Sequence, residues 1–189
     1  RGLGDVYKRQ IEGINMYAHD GMTSRAILGH FNSNKIFMQY AADNKCECWN
    51  LPQGLLALMY RSASGGDKGL LTKVGLGTFV DPRNQGGKVN SRTTEDMVKL
   101  VEVDGEEYLW YKVTPPTVAF IRGSVADEKG NVSLGDEMYW ADAQYVARAA
   151  HANGGKVIVQ VRDYVKAGSL AAHDVQIPGI LVDGIVTTK

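Results

Sequence analysis

Short apolar runs, several of them rich in β-branched residues, alternate along this chain with segments of helical period. Strands that alternate with helices are typical of α/β proteins, in which the helices cross over between parallel strands. The sequence therefore predicts an α/β fold with an open, largely parallel sheet flanked by helices. The predicted strands are residues 25–31, 46–50, 70–74, 118–122, 157–161 and 179–186, and the predicted helices are residues 53–62, residues 141–153 and one that follows Ser33.

The ends of these helices carry recognisable signals. Ser33 can act as the N-cap of the first helix, and Pro52 suits the first turn of the second. Gly154 and Gly155 end the third. The spacing of the first helix places four apolar side chains on one face, namely Ile36, Phe37, Tyr40 and Ala41.

A β-hairpin interrupts the alternation at residues 98–112. Apolar residues flank Asp104-Gly105, a dipeptide that favours the tight turn of a two-residue hairpin. We therefore interpret this segment as a hairpin insertion and not as a crossover. The sequence shows no internal repeat and no tract that resembles an interdomain linker, which predicts a single domain.

Composition narrows the class of protein. Of the 189 residues, 44% are apolar and 22% are charged, and 21 basic side chains balance 21 acidic ones, as in ordinary globular proteins. A net charge of zero disfavours nucleic acid or an anionic membrane as the main partner. No apolar run approaches about 18 residues, the length needed to span a membrane. Cys46 and Cys48 are too few and too close for a disulfide framework, so we expect a cytoplasmic protein.

Both ends of the chain indicate a fragment. Residues 1–10 contain neither an initiator Met nor the apolar core of a signal peptide. They resemble a leader that recurs in reading frames translated from assembled environmental sequence, so we expect a non-native leader. The last predicted strand, residues 179–186, runs into a short polar tail, although domains seldom stop on a core strand. We expect residues 11–189 to form one incomplete domain.

The cysteines and histidines do not form a recognisable metal motif. Cys46 and Cys48 lack two further zinc ligands, so buried thiols are the better interpretation. No metal site is predicted. The four scattered histidines are interpreted as surface residues or hydrogen-bonded core residues, namely His19, His30, His151 and His173.

Two glycine motifs have weak functional meaning. Gly75-Leu-Gly77 follows a predicted strand, as a dinucleotide-binding fingerprint would, but Val80 stands in the place of the third glycine and no helical pattern follows. Residues 86–88, Gly-Gly-Lys, lack the rest of a P-loop. We interpret them as a flexible turn.

Residues 50–54, Asn-Leu-Pro-Gln-Gly, lie between a predicted strand end and a predicted helix start. Open α/β sheets bind ligands at this edge. There, backbone N–H groups and the Gln53 carboxamide could hold an anionic or carbonyl oxygen. A capping Gln beside a turn Gly has the same pattern, so both interpretations stay open. The residues by themselves predict a small-molecule site and no particular reaction.

Four segments, taken together, resemble one family. They are Pro52-Gln53-Gly54, residues 71–83 (LTKVGLGTFVDPR), residues 86–90 (GGKVN) and residues 121–131 (IRGSVADEKGN). In this order they resemble the amino-terminal half of family I coenzyme A transferases, and most of all the propionate or acetate CoA-transferase group, which is related to 3-oxoacid CoA-transferases. Segments at 159–161, 165–168 and 175–180 extend the resemblance, which covers about residues 11–186.

The resemblance implies an open α/β sheet with flanking helices and two such domains per active unit. It also implies CoA transfer between short-chain acids such as propionate, acetate or acetoacetate, through attack of a glutamate on the thioester, an anhydride and a glutamyl-CoA thioester. CoA is a substrate in this chemistry, and no cofactor or metal is needed. The implied partners are an acyl-CoA, a carboxylic acid, a missing carboxy-terminal domain and further copies of the full-length protein.

The family's nucleophile has no counterpart in this chain. It lies in a Ser-Glu-Asn-Gly-like or Glu-Ser-Gly-like turn, and no glutamate here has such neighbours. The family's early Gly-Gly-Phe-x-x-x-Gly-x-Pro loop is also not found in this sequence. We therefore predict no catalytic residue in this chain. The resemblance assigns five residues to the substrate cleft, namely Gln53, Gly54, Gly75, Gly77 and Thr78.

The alternative is a non-catalytic small-molecule-binding domain of the same α/β fold. That fold also serves sugar-phosphate isomerases and the effector-sensing domains of some repressors. Such sensors carry a helix-turn-helix segment, and no pattern of that kind is visible in this sequence.

We expect the 189-residue chain alone to have no CoA-transferase activity, because covalent catalysis needs its nucleophile. The measurement is CoA transfer between propionyl-CoA and acetate by the purified chain. Turnover that disappears when one of its own glutamates is replaced by glutamine would contradict this expectation.

Overall fold

The computed structural model describes residues 13–32, 34–138, 140 and 142–188. Strands and helices alternate in these residues, which confirms the α/β class. The helices are α1 (Lys35–Ala42), α2 (Gln53–Ser64) and α3 (Ala143–Ala152), and short 3₁₀ turns occupy Gly13–Tyr17, Ala172–Asp174 and Gly179–Leu181. The strands are β1 (Arg25–Leu28), β2 (Glu47–Asn50), β3 (Gly69–Thr72), β4 (Val98–Val103), β5 (Glu106–Lys112), β6 (Val118–Arg122), β7 (Val125–Asp127), β8 (Val132–Ser133), β9 (Lys156–Val161), β10 (Asp163–Val165) and β11 (Gly184–Thr187).

The chain divides into two compact units. One comprises Arg1–Leu56 and Leu71–Lys112, and the other comprises Ala57–Leu70 and Val113–Lys189. Composition does not reveal this division, because the boundaries fall inside α2 and β3 and at the end of β5, where no linker is needed. That residues 11–189 form one incomplete domain stays a prediction. The predicted leader, residues 1–10, lies outside the described residues.

The described strands form four small sheets where the sequence predicts one open sheet. β1 and β2 pair in parallel, as do β6, β9 and β11 and the pair β7 and β10. The remaining sheets have the strand orders β10-β7-β8 and β3-β5-β4. The predicted parallel pairing is therefore confirmed, although it is divided between short sheets.

The predicted hairpin is confirmed as β4 and β5. The two strands are antiparallel, and Val103 pairs with Glu106 across the turn. Asp104 has φ 53° and Gly105 has φ 79°. Both residues are thus left-handed, as a type I′ turn in a two-residue hairpin requires.

The first helix differs from its prediction in two details. Phe37, Tyr40 and Ala41 are buried as predicted, but Ile36 is exposed. At about 100° per residue, Ile36 falls outside the arc that the other three share. Asn34 occupies the N-cap position, and the predicted cap, Ser33, lies outside the described residues.

Helix α3 covers one face of the β11-β9-β6 sheet. Ala147 and Ala150 of α3 belong to the same buried cluster as Ile121 of β6 and Val157 and Val159 of β9. Small residues on the helix bring it close to the β-branched side chains of the sheet. Within the described ranges, no helix has both the length and the apolar character needed to cross a bilayer.

The predicted buried strand at residues 179–186 is partly wrong. Residues Gly179–Leu181 form a 3₁₀ turn, and only Gly184–Thr187 form a strand. Ile180 is 81% exposed. Pro178 has no N–H to donate to a neighbouring strand, so the strand begins later than predicted. Because β11 lies at the end of its sheet, its residues are also less buried than the apolar run suggested.

The β6 strand leaves apolar side chains in solvent, and we expect the 189-residue chain to self-associate. Phe120 is 76% exposed and Val118 is 45% exposed, and β6 ends its sheet among the described residues. Exposed apolar patches and strand edges favour association. Analytical ultracentrifugation over a tenfold concentration range should show oligomers that increase with concentration.

Phe120→Lys should reduce this association, because lysine protects strand edges. Ile180→Lys is the matched control, since it adds the same charge at an equally exposed apolar position and should leave association unchanged. A parent chain that sediments as a single monomer throughout the range would contradict the expectation.

Candidate functional site

The carboxyl ends of β1 and β2 form one edge of a parallel pair. Leu28 pairs with Asn50, and the Leu51 N–H donates to the Leu28 carbonyl at 3.0 Å. Because the Leu28 and Gly29 carbonyls face it, the Asn50 carboxamide is assigned with its nitrogen towards β1, where it donates to Leu28 at 3.2 Å and Gly29 at 2.8 Å. The loop that the sequence predicts as a ligand site therefore begins at a fixed strand end.

Gln53 and Gly54 are the first two residues of α2, and both are exposed. Pro52 precedes the helix as predicted, and its carbonyl accepts the N–H groups of Leu55 at 2.9 Å and Leu56 at 3.2 Å. The first turn contains no acidic residue, so no carboxylate of its own neutralises the positive end of the helix dipole. This position can offer a carboxamide and backbone donors to a carbonyl or carboxylate oxygen.

Gly87 joins this edge to the loop that contains the other predicted site residues. Its N–H donates to the Phe79 carbonyl at 3.1 Å, and its own carbonyl accepts the Asn50 N–H at 2.8 Å. The turn predicted at residues 86–88 is confirmed, and its flexibility stays a prediction. Gly87 is buried, and hydrogen bonds on both sides hold it against β2.

The loop from Gly75 to Thr78 is closed by hydrogen bonds from Thr78 to Gly75. The Thr78 N–H donates to the Gly75 carbonyl at 3.0 Å, and the Thr78 hydroxyl donates to the same oxygen at 2.7 Å. Gly75 has φ 98°, and a side chain there would collide with Val80 and the Tyr111 hydroxyl. Gly77 and Thr78 are exposed. Because the Thr78 N–H is already bonded within the loop, the loop offers a ligand its surface and not an open cradle of N–H groups.

The carboxylate of Asp81 stabilises this loop through hydrogen bonds. Its side chain is 1% exposed and accepts the Gly77 N–H at 2.8 Å. It also accepts three hydrogen bonds from Arg83, from the backbone N–H and Nε at 3.0 Å and from a terminal nitrogen at 2.7 Å. Arg83 in turn donates to both carboxylate oxygens of Glu107 at 3.0 Å. The bonds from Arg83 and Gly77 hold the pKa of Asp81 well below its usual range, although burial opposes the shift.

The remaining motifs carry no reactive group in the described residues. Cys46 and Cys48 are buried thiols, as predicted, with their sulfurs 3.2 Å apart. Burial raises the pKa of the Cys48 thiol, which disfavours the reactive thiolate. No group of three metal-ligating side chains is found in this part of the chain. β4 is the next regular element after β3, so Gly75-Leu-Gly77 is not a dinucleotide fingerprint, as expected.

The sequence predicts Gln53 as a site residue, and that role stays a prediction, but the sequence does not reveal the residues whose hydrogen bonds support this edge. Gly87 was visible as one of two consecutive glycines, which indicate a close backbone approach. Asp81 stands two residues before Arg83 in a glycine-rich loop, but only the fold shows that its carboxylate is buried. The role of Asn50 depends on the pairing of β1 with β2, which periodicity does not reveal.

A family model for coenzyme A transferase matches residues 7–188. The chain belongs to the coenzyme A transferase family. It is 43% identical over 185 residues to the acetate CoA-transferase YdiF of Escherichia coli K12, covering 98% of this chain and 34% of that protein. It is 42% identical over 184 residues to the caffeate CoA-transferase of Acetobacterium woodii, covering 97% of this chain and 34% of that protein. The chain thus spans about a third of the length of these relatives.

A solved structure agrees with this assignment. The apoenzyme of the acyl-CoA transferase YdiF from Escherichia coli O157:H7 matches with a TM-score of 0.92 and 42% sequence identity, covering 94% of this chain and 35% of that one. The family and the α/β transferase fold expected from the sequence segments are therefore confirmed. The family match includes residues 7–10 of the segment predicted as a leader, and that assignment stays a prediction.

We expect Asp81→Asn to lower the Tm and to weaken its dependence on pH. A carboxylate with a depressed folded-state pKa stabilises the fold above its unfolded-state pKa, about 4. That stabilisation is lost as the pH falls towards the folded-state value. In thermal melts between pH 7 and pH 3, the parent chain should lose more Tm than Asp81→Asn.

Glu107→Gln is the matched control, because its carboxylate bonds the same arginine in solvent. Surface ion pairs contribute little, so this variant should behave like the parent. Identical pH profiles for the parent and Asp81→Asn would contradict the role given to Asp81.

Proposed function

We propose that this chain is part of an acyl-CoA:carboxylate CoA-transferase that acts on short-chain acids such as propionate, acetate or acetoacetate. The observation that carries the proposal is the 43% identity to an acetate CoA-transferase over 98% of the chain. The exposed Gln53 at the carboxyl edge of a parallel pair supports it, because this edge suits a small ligand.

The proposed reaction is covalent, and its nucleophile is a glutamate outside this chain. The carboxylate attacks the thioester carbonyl, the carbon–sulfur bond breaks, and CoA leaves as a thiolate while a mixed anhydride forms. The thiolate then attacks the glutamyl carbonyl, which releases the first acid and leaves a glutamyl-CoA thioester. A second carboxylate takes CoA by the reverse sequence. No step changes an oxidation state, so the proposal includes CoA as a substrate and no cofactor.

Among the residues of this chain, Gln53 has the central role in the proposed reaction. Its side-chain nitrogen donates to the acyl carbonyl oxygen or to the substrate carboxylate, where negative charge develops during attack. Gly54 contributes the exposed start of α2. Gly75, Gly77 and Thr78 line the same cleft in this proposal, as a surface and not as an anion cradle.

The proposal extends to location and partners. We propose a cytoplasmic protein that forms a homo-oligomer at full length, with neither nucleic acid nor a membrane as a partner. Two observations support the location and the exclusion of nucleic acid and membrane: 21 basic side chains balance 21 acidic ones, and both cysteines are free thiols.

In the full-length enzyme, we expect Gln53→Ala to lower kcat/KM by about 10- to 100-fold. Losing such a hydrogen bond costs about 1–3 kcal/mol, or about one to two decades in rate. The measurement is steady-state transfer between propionyl-CoA and acetate. Gln39→Ala, an exposed glutamine on α1, is the control and should retain full activity.

An unchanged kcat/KM for Gln53→Ala would contradict the substrate role of Gln53, which would then be only the first residue of α2. Full-length protein that binds acyl-CoA without any transfer would instead favour the binding-domain alternative.

A further inference from the structure

Gly29 follows β1 directly, and its missing side chain leaves space that Gln53 occupies. A Cβ at Gly29 would overlap the Gln53 Oε1 atom and would lie 2.7 Å from Cδ and 3.0 Å from Cβ of the same residue. All three of the nearest heavy atoms thus belong to Gln53. The carboxamide of Gln53 therefore lies across the backbone of Gly29.

The backbone conformation at Gly29 does not by itself require a glycine. Gly29 is not among the residues with positive φ, so alanine could adopt its backbone angles. The requirement for glycine at this position is one of space alone. The three heavy atoms nearest to that space all belong to the Gln53 side chain.

Neither backbone can move easily to admit a larger residue. The Gly29 carbonyl accepts a hydrogen bond from the Asn50 side chain at 2.8 Å, and Asn50 is itself bonded to Gly87. On the other side, Pro52 precedes Gln53 and has a fixed φ. A methyl group at Gly29 would therefore displace the Gln53 side chain and not the surrounding loops.

We propose that Gly29 is a positioning residue, which holds the Gln53 carboxamide in one orientation by leaving space beneath it. The proposal rests on the substrate role proposed for Gln53. Gly29 touches no substrate in this account and acts only through Gln53. Its effect on catalysis must disappear when Gln53 carries no carboxamide.

The test is a double-mutant cycle in the full-length enzyme, with Gly29→Ala, Gln53→Ala and the double variant. For stability, Gly29→Ala should lower the Tm, and adding Gln53→Ala should restore most of the loss, because truncation at Gln53 removes Oε1 and Cδ and leaves only the 3.0 Å contact with Cβ. For activity, Gly29→Ala should lower kcat/KM by about 10- to 100-fold. The double variant should be no slower than Gln53→Ala alone.

Gly135→Ala is the control for the glycine substitution. Gly135 is also not among the residues with positive φ, and a Cβ there would meet its nearest neighbour, the Ser133 hydroxyl, at 3.4 Å. Its effects should add to those of Gln53→Ala. If Gly29→Ala does not fold, recovery of folded protein in the double variant is the supporting result.

Two outcomes contradict different parts of the account. Additive Tm changes for Gly29→Ala and Gln53→Ala would overturn the positioning role. Coupled Tm changes with full activity in Gln53→Ala would overturn the substrate role of Gln53, and with it the catalytic meaning of Gly29, while leaving the packing intact.

Discussion

The candidate site depends on the hydrogen bonds of one residue, Asn50. Its backbone N–H binds the Gly87 carbonyl at 2.8 Å, and its side chain binds the carbonyls of Leu28 and Gly29. Three chain segments that are distant in sequence thus meet at the end of β2. Because polar groups of a folded protein that lose a partner are costly, this arrangement stabilises the end of β2, just ahead of the Gln53 that begins α2.

Much of the fold was visible in the sequence because local signals coincide with the final structure. The strand at Val118–Arg122 and the hairpin turn at Asp104-Gly105 carry their own periodicity and turn chemistry. Ile36 and residues 179–186 were predicted less well, because burial at the edge of a helix face or a sheet depends on neighbours. The division into two units was hidden, since its boundaries fall within regular elements.

Prediction of the candidate site from the sequence is limited in the same way, because contacts between distant residues are not visible in local patterns. Gln53 could be proposed from the sequence because it follows a proline at the junction of a strand and a helix. The roles of Gly29 and Asp81 could not, because each depends on a residue that folding brings close, the Gln53 side chain for Gly29 and the Gly77 N–H for Asp81. Local pattern thus indicates a candidate residue, whereas the contacts that hold it in place come from tertiary structure.

This edge is proposed to present the Gln53 carboxamide to the acyl group of a CoA thioester. The most direct test is a crystal structure of the full-length enzyme with a bound acyl-CoA. The account predicts the Gln53 side-chain nitrogen at about 3 Å from the acyl carbonyl or carboxylate oxygen, with the carboxamide still lying across Gly29. A bound acyl group at another edge of the sheet, with Gln53 turned towards solvent, would contradict it.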